Sequence, residues 1–547
     1  MAAIRSALDS LRGFGAVFAN PRLRQVQLAG IGSTLGSWSN SVGLSVYAYH
    51  SGGARAVGLL YCVRWGTAAI AAPWLSLLPD RRSRRQVMVA ADTIRVGLLG
   101  GMAALAAVGG PHLAVYGLAV ASSVVSTLFT PAQSALLPSL VSTPEELTAA
   151  NAVMSTVSSV GMFAGPALGG VLLTVSGPSA VFAVTAGTFL WSALCVVRLP
   201  HDEPPAFEPA PVFVALLAGF RAIAREPALR VVVGLTSAQT VVAGALEVLL
   251  VVVAFRYVHG GSSAVGWLNT SIGIGALVGV VAVAALVGRK RLAGDIGLGV
   301  LLWGLPLAVL AAWANLGFAL VLFGVIGLAN TIVDVAGLTL LQRSADDEVL
   351  GRVFGVLESM ILATIALGAV VTPWIVSLLG IRGALLAVGL FLPVLLVPLW
   401  PFLRRVDAQA RIAVEPLELL RAISIFSPLP PPVLERLASL ATAVRVPAGS
   451  AVFEQGDPGD RFYVIAEGTA AVEIDGAESG TLARGDFFGE IALLRDVPRT
   501  ATILAVDELR LYALESDEFI AAVTGHAPCR EAADSVVAAR LPVGAAL

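Results

Sequence analysis

The sequence predicts an α-helical polytopic membrane protein, with twelve transmembrane helices in two six-helix halves and then a C-terminal cytosolic β-roll flanked by helices. Three observations carry that prediction. Of 547 residues, 57% are apolar and 13% charged, against about 45–50% and about 25% in soluble domains. About twelve apolar runs reach the roughly 20 residues that a spanning helix requires. From Glu415 onward the charge density rises and the apolar period shortens, with 20 Asp+Glu and 10 Arg in 133 residues.

Composition also excludes several classes. A soluble chain this apolar would expose far too much hydrocarbon, so the body needs a lipid bilayer as partner. Lys290 is the single lysine among 35 basic residues, and the net charge is −2, so no basic arm points to nucleic acid. Cys62, Cys195 and Cys529 are odd in number and far apart, which fits neither a disulfide framework nor a metal site. No catalytic constellation or cofactor motif stands out, and an enzyme is not expected. The Arg-dotted N-terminus lacks a small-residue cleavage site and reads as retained.

The apolar runs fall at 25–49, 54–78, 87–108, 112–137, 148–175 and 178–198, then at 229–258, 262–287, 294–314, 316–341, 351–379 and 382–403. Residues 1–198 and 229–405 are thus two six-span halves, as duplication would give. The linker 199–228 holds Pro200, Pro204, Pro205, Pro209 and Pro211, then an amphipathic stretch from Phe213 to Arg225. Residues 406–547 form the soluble tail.

Loop charges set the orientation. Arg5, Arg12, Arg22 and Arg24 precede the first span, and Arg81, Arg82, Arg84 and Arg85 fill the second loop. Arg289, Lys290 and Arg291 fill the eighth, and Arg404, Arg405 and Arg411 follow the last span. The opposite loops (Ser51–Gly53, Gly109–His112, Ser176–Ser179) are nearly uncharged. Both termini and the tail are therefore expected in the cytoplasm, with the body multi-pass in the cell inner or plasma membrane.

In the tail, a helical stretch is expected from Pro416 to Ala441. Short alternating runs follow at Ala451–Glu454, Phe462–Ala466, Ala470–Ile474, Thr500–Val506 and Leu509–Leu514, separated by Gly/Asp/Pro turns. Ser516–Thr524 and Cys529–Leu541 read as helices.

The second loop, Ser76-Leu77-Leu78-Pro79-Asp80-Arg81-Arg82-Ser83-Arg84-Arg85, resembles the cytoplasmic signature of the major facilitator superfamily, with Ser76 and Ser83 where two glycines are usual. The resemblance implies that Asp80 latches onto the start of the eleventh span near Gly351-Arg352, an anion at a helix N-terminus. It places Arg81, Arg84, Arg85 and Arg352 in that latch, with Asp92 and Arg95 in support. As topology signals alone, the arginines would read the same way. Gly161-Met162-Phe163-Ala164-Gly165-Pro166-Ala167-Leu168-Gly169-Gly170 in the fifth span looks like the superfamily's exporter signature. With Phe129–Ala132, Glu145–Asn151 and Gln342-Arg343 before Gly351–Gly355, it resembles the branch of siderophore and drug exporters and lysophospholipid transporters.

Ionisable residues inside spans are costly and default to functional candidates. Arg64, Glu247, Asp334 and Glu358 are therefore the transport or coupling candidates, with Arg64 a candidate partner for Glu247. Alternatively, Glu247 is a buried structural pair. The first span has no acid and the fourth no Arg of the kind found in proton-coupled drug antiporters.

The tail string Gly485-Asp486-Phe487-Phe488-Gly489-Glu490-Ile491-Ala492-Leu493-Leu494, then Pro498-Arg499-Thr500, closely resembles the phosphate-binding cassette of cyclic-nucleotide-binding domains. The resemblance implies a site of Phe488, Gly489, Glu490, Ile491, Ala492, Arg499 and Thr500. A helix starting near Gly489 would aim N–H groups at the phosphate, and Arg499 would fork onto it. Glu490 would accept from the ribose, Thr500 would add a hydroxyl, and the last helix would close as a lid through Val536, Val537 or Arg540. A β-roll that kept the fold but lost its ligand is the bland alternative.

The function so implied is a secondary active transporter of an unknown amphipathic small molecule, an exporter working by alternating access. Cytosolic cyclic nucleotide would regulate it as a ligand, cAMP favoured over cGMP, and no cofactor is needed. The alternatives are a membrane receptor without flux, or a lysophospholipid transporter. Only six residues follow Leu541, so no DNA-recognition helix is expected.

Overall fold

The computed structural model describes residues 15, 17–75, 78, 82–141, 144–200, 202, 212–286, 292–344, 347–409, 414–429, 431–525 and 527–540. It divides into two units, Met1–Gln409 and Ala410–Leu547.

The first unit is helical among its described residues. Its helices are α1 (Pro21–Leu75), α2 (Arg84–Ala107), α3 (His112–Ser126), α4 (Phe129–Leu136), α5 (Pro144–Val197) and α6 (Val212–Arg225). They continue with α7 (Pro227–Val252), α8 (Gly261–Leu286), α9 (Leu292–Leu310), α10 (Leu316–Ser344) and α11 (Asp347–Gln409). Three are long enough to cross a bilayer twice and are broken once each, at Gly52-Gly53, Gly177 and Gly380. The breaks fall in the loops expected between spans one and two, five and six, and eleven and twelve. Gly53, Gly177 and Gly380 take φ of 60°, 76° and 70°, values that a side chain disfavours.

Local chemistry explains two departures from regular helix. The expected fourth span is interrupted between α3 and α4, where Thr127 and Leu128 donate to carbonyls three residues back. Pro131 supplies no donor, so it is accommodated in the first turn of a new helix rather than inside the old one. At the other end of α7 the chain loosens into a π-turn over Val253–Tyr257, which presents Phe255 to Tyr49 of α1 as a stacked pair 4.6 Å apart.

Small residues let the halves approach. A Cβ on Gly170 of α5 would stand 2.9 Å from the Cα of Gly266 on α8, and one on Gly266 would stand 2.4 Å from Gly170. A Cβ on Gly58 would strike the carbonyl of Ala369 in α11 at 2.6 Å. Such approaches are the usual basis of helix association in lipid, where burying hydrocarbon gains nothing. Large apolar side chains cover the outside: Leu113 is 83% exposed and Leu378 79%. Among the described residues of the tail, only Leu440, Ile474 and Val506 are comparably exposed large apolar side chains. That contrast assigns the first unit to lipid and the second to water.

The second unit opens with α12 (Val414–Ala422) and α13 (Pro431–Leu440). The single helical stretch expected from Pro416 to Ala441 is therefore corrected to two helices. Pro428, and Pro431 and Pro432 at the head of α13, supply no backbone donors and so break it. The intervening Ile425 and Phe426 are fully buried, with Phe426 edge-on to Phe462 and Phe519.

Eight strands follow: β1 (Thr442–Val446), β2 (Ala451–Phe453), β3 (Arg461–Glu467), β4 (Ala470–Ile474), β5 (Ala477–Leu482), β6 (Phe487–Phe488), β7 (Thr502–Ala505) and β8 (Leu509–Glu515). They pair antiparallel in two sheets, ordered β1-β8-β3-β6 and β2-β7-β4-β5. Helix α14 (Glu490–Arg495) interrupts the roll, and α15 (Ser516–Thr524) and α16 (Ala527–Arg540) close it.

Candidate functional site

In the tail, Gly489 leaves β6 with φ 91° and caps α14. The N–H groups of Glu490, Ile491 and Ala492 head this helix and so have no intrahelical acceptor. Glu490 is 1% exposed. Its Oε1 accepts from Arg540 Nη1 of α16 at 2.9 Å, and the same Nη1 donates to the Phe487 carbonyl at 2.8 Å. The Arg540 guanidinium lies 4.3 Å over the Phe487 ring. Burial pushes the Glu490 carboxyl above its ordinary 4.5, while Arg540, its own backbone N–H and Arg499 pull the other way.

Arg499 is 2% exposed. It was expected on the strand that follows the short helix, but it precedes that strand, since β7 begins only at Thr502. Its backbone is instead tied to the Gly456-Asp457 turn: Arg499 N–H donates to Asp457 O at 2.8 Å, and Gly456 N–H donates to Arg499 O at 2.9 Å. Pro498 just before it provides no donor for a ladder. The guanidinium donates through Nη1 to Gly489 O at 3.1 Å, and through Nη2 to Arg461 O at 2.8 Å and Asp460 Oδ1 at 2.9 Å. It sits 4.2 Å over Phe453, and its Nε–H is buried without an acceptor among the described residues. A buried, ionised fork with a spare donor is suited to an anion.

The structure thus brings Gly489, Glu490 and Arg499 together. Phe488 is buried and stacks on Tyr463 at 5.3 Å. Ala492 is buried beneath Gly459, whose Cβ would stand 2.8 Å from the Ala492 Cβ. Ile491 and Thr500 are half-buried. Of the three lid residues, Arg540 reaches the site, while Val537 is fully buried and Val536 packs partly buried on the core of α12–α15. Asp460, Phe453 and the Arg461 carbonyl were not foreseen as site groups. A Gly-Asp pair ahead of a strand was the available signal, but the partner of that turn is set by the fold.

In the membrane body, Arg64 is buried against Tyr61 and Trp65, donates Nε–H to Ser123, and lies within electrostatic reach of Glu247. Glu247 is half-buried and hydrogen-bonded to Tyr61. Asp334 is exposed and accepts from Asn330 and Gln239. Glu358 is exposed on α11.

Asp92 and Arg95 are buried and paired at 3.7 Å. Arg95 donates to Ser33 at 3.3 Å and Ser37 at 2.8 Å, and covers the Phe189 ring at 3.5 Å. The pair therefore clamps α1 and α5 to α2, inside the first half. Asp80 and Arg81 lie outside the described residues, as do the Arg352 side chain, Arg289, Lys290, Arg291 and Arg411.

Arg84 and Arg85 open α2, whose N-cap is Ser83. Asp202, unforeseen, accepts from Ser83 Oγ at 2.5 Å and from the Arg84 and Arg85 N–H groups at 2.6 and 3.2 Å. Burial opposes its charge, yet the hydroxyl and the two N–H groups outweigh that and hold Asp202 below the ordinary carboxylate value.

Comparison with known proteins follows this division. The family model described as Major Facilitator Superfamily matches residues 27–294 and 259–455. That described as Cyclic nucleotide-binding domain matches residues 443–526. The chain is 31% identical over 251 residues to the "Uncharacterized MFS-type transporter y4rN" of Sinorhizobium fredii, covering 44% of this chain and 60% of that one. It is 38% identical over 102 residues to a cAMP-dependent protein kinase regulatory subunit of Aspergillus niger, covering 18% of this chain and 25% of that one. The chain thus spans about a quarter of that kinase subunit's length. A solved structure of the regulatory domain of Toxoplasma gondii PKA with cAMP is 22% identical, with a TM-score of 0.23, over 25% of this chain and 55% of that one. The chain belongs to the Major Facilitator Superfamily, and its residues 443–526 are a cyclic nucleotide-binding domain.

Proposed function

We propose that this chain is a secondary active exporter of an amphipathic small molecule whose activity is set by a cyclic nucleotide bound at Gly489, Glu490 and Arg499. The carrying observation is Arg499: a guanidinium 2% exposed, held by two backbone carbonyls and Asp460, with a buried Nε–H left over. A buried donor without an acceptor costs about 1–3 kcal/mol, and a cyclic phosphate beside Gly489 would offset that cost. Asp460 is 65% exposed in its side chain and can surrender its hydrogen bond to the incoming phosphate. Glu490 would turn an oxygen to the ribose, and Arg540 would hold α16 over the ligand. The kinase regulatory subunits similar to this tail are named for cAMP, which supports cAMP over cGMP.

Transport would proceed by rocking of residues 20–198 against 229–405. Close glycine contacts, Gly170 on Gly266 and Gly58 on Ala369, support surfaces able to pack and part. The tail and both termini would face the cytoplasm. Nucleotide would bias transport only by the ratio of its affinities for the two transporter states. The reading assigns no catalysis to either part.

Calorimetry on the purified full-length protein tests the sensor, with cAMP and cGMP titrated separately. Saturable binding that Arg499→Ala abolishes is expected, and no heat with either nucleotide would overturn the reading. Flux in proteoliposomes tests the transporter. Nucleotide binding without flux of any solute would favour a receptor.

A further inference from the structure

The linker helix α6 (Val212–Arg225) has no part in the sites above. Its 14 residues fall short of the roughly 20 that cross a bilayer. Yet Glu226 alone separates it from α7, which carries the apolar span Leu229–Tyr257. Chain connectivity therefore holds the end of α6 at the level where that span enters the membrane. The other end of the linker is tied at Asp202 to the head of α2, where another span begins.

The helix has three faces. Gly219 and Ile223, one turn apart, are buried, and α6 packs on α7 and α11. Leu217, Phe220 and Ala224 follow the i, i+3, i+7 spacing of a second stripe. All three are exposed, Leu217 by 39% and Phe220 by 47%. Arg221 and Arg225 form a third stripe beside it and are exposed as well.

No acidic residue falls in α6, and among the described residues neither guanidinium forms an ion pair. Like charges four residues apart repel, so the pair gains from an anion outside the chain. Water suits the arginines but not the apolar stripe. A headgroup layer suits both, because it offers phosphate on one side and acyl chain on the other. Lipid already borders this part of the chain, since α11 is faced with exposed Val394 and Val397.

We infer that α6 lies in the headgroup layer and binds anionic phospholipid, with its apolar stripe against acyl chains and Arg221 and Arg225 on the lipid phosphates.

The test is amide hydrogen exchange over residues 212–225 of the full-length protein in nanodiscs. Phosphatidylcholine alone is compared with phosphatidylcholine mixed with phosphatidylglycerol. A basic residue near an anionic surface strengthens attachment by about fivefold, so exchange should slow by about tenfold or more in the anionic nanodiscs. Raised salt should reverse the slowing, as screening requires. The pair Arg221→Gln and Arg225→Gln should remove the difference between lipids, and Arg221→Lys with Arg225→Lys should keep most of it. Leu217→Ser with Phe220→Ser should speed exchange in both lipids. Flux plays no part in this readout, so a chain that carries no cargo would still show it.

Equal exchange of the wild type in the two lipids, or a Gln pair that keeps the wild-type difference, overturns the inference. So does slowing reproduced by inorganic phosphate in neutral nanodiscs, because the arginines would then hold a free anion. Protection that appears in detergent alone and grows with protein concentration also overturns it, since a second copy of the chain would then cover the stripe.

Discussion

Arg499 and Glu490 are both buried and are held by different partners, Asp460 and Arg540, so substitutions there have separable effects. Arg499→Ala removes the anion fork together with its packing over Phe453, and nucleotide affinity should fall by about 100-fold or more in calorimetry. Arg499→Lys keeps the charge but not the planar fork, and should recover only a small part. At Gly489, alanine meets φ 91° and would put its Cβ 2.7 Å from Arg499 Nη1 and 2.9 Å from the Arg461 carbonyl. A cost of about 1–3 kcal/mol is expected, read as faster hydrogen exchange in the tail.

Glu490 gives a pH prediction. Burial raises its carboxyl above the ordinary 4.5, so the folded tail holds that proton more tightly than the unfolded chain does. The associated stability is complete below the ordinary value and is lost as pH rises through the raised one. Relative to Glu490→Gln, wild-type tail protection should therefore decline from mildly acidic to neutral pH. An unchanging difference would contradict the assignment. Glu490 and Arg499 were legible because the Gly489-Glu490 and Pro498-Arg499 strings are contiguous. Asp460 and Phe453 were not, because they reach Arg499 only through a turn whose pairing is a property of the whole roll.

Elements were legible where a strong local rule acts. Apolar length located the spans, and the gaps between successive apolar runs located the breaks at Gly177 and Gly380. The strands β1 and β5 escaped notice for a physical reason. β5 is almost entirely exposed and carries no alternation, and β1 follows α13 with a mostly exposed, weakly patterned face. Asp202 at the head of α2 was equally invisible, since a carboxylate in a Pro-rich linker gives no hint of which helix it caps. At this scale the packing of α5 on α8 is the most exposed claim. Gly266→Leu would drive a branched side chain into the Gly170 backbone, and should abolish transport or assembly while tail nucleotide binding persists. Normal flux in that variant would show that the contact is dispensable.

At the scale of the molecule, a lipid-dissolved unit and a water-dissolved unit share one chain, and the sequence announced both through composition alone. It could not announce how strongly they are coupled, because coupling is a difference between states rather than a feature of one. Linkage nevertheless constrains it: a nucleotide that shifts the transporter between states must itself bind those states with the same ratio of affinities. A shift of about 5–150-fold is the usual range for such coupling. Cargo or inhibitor that holds the body in one state should therefore change nucleotide affinity by the factor that nucleotide changes cargo affinity.

The measurement that tests the central claim most directly is solute flux in proteoliposomes with cyclic nucleotide supplied on the tail side, comparing wild type with Arg499→Ala. The account predicts that nucleotide changes wild-type flux and that the variant, with basal flux intact, does not respond. A variant that cannot bind nucleotide yet still responds, or a wild type that binds it without any change in flux, would contradict it.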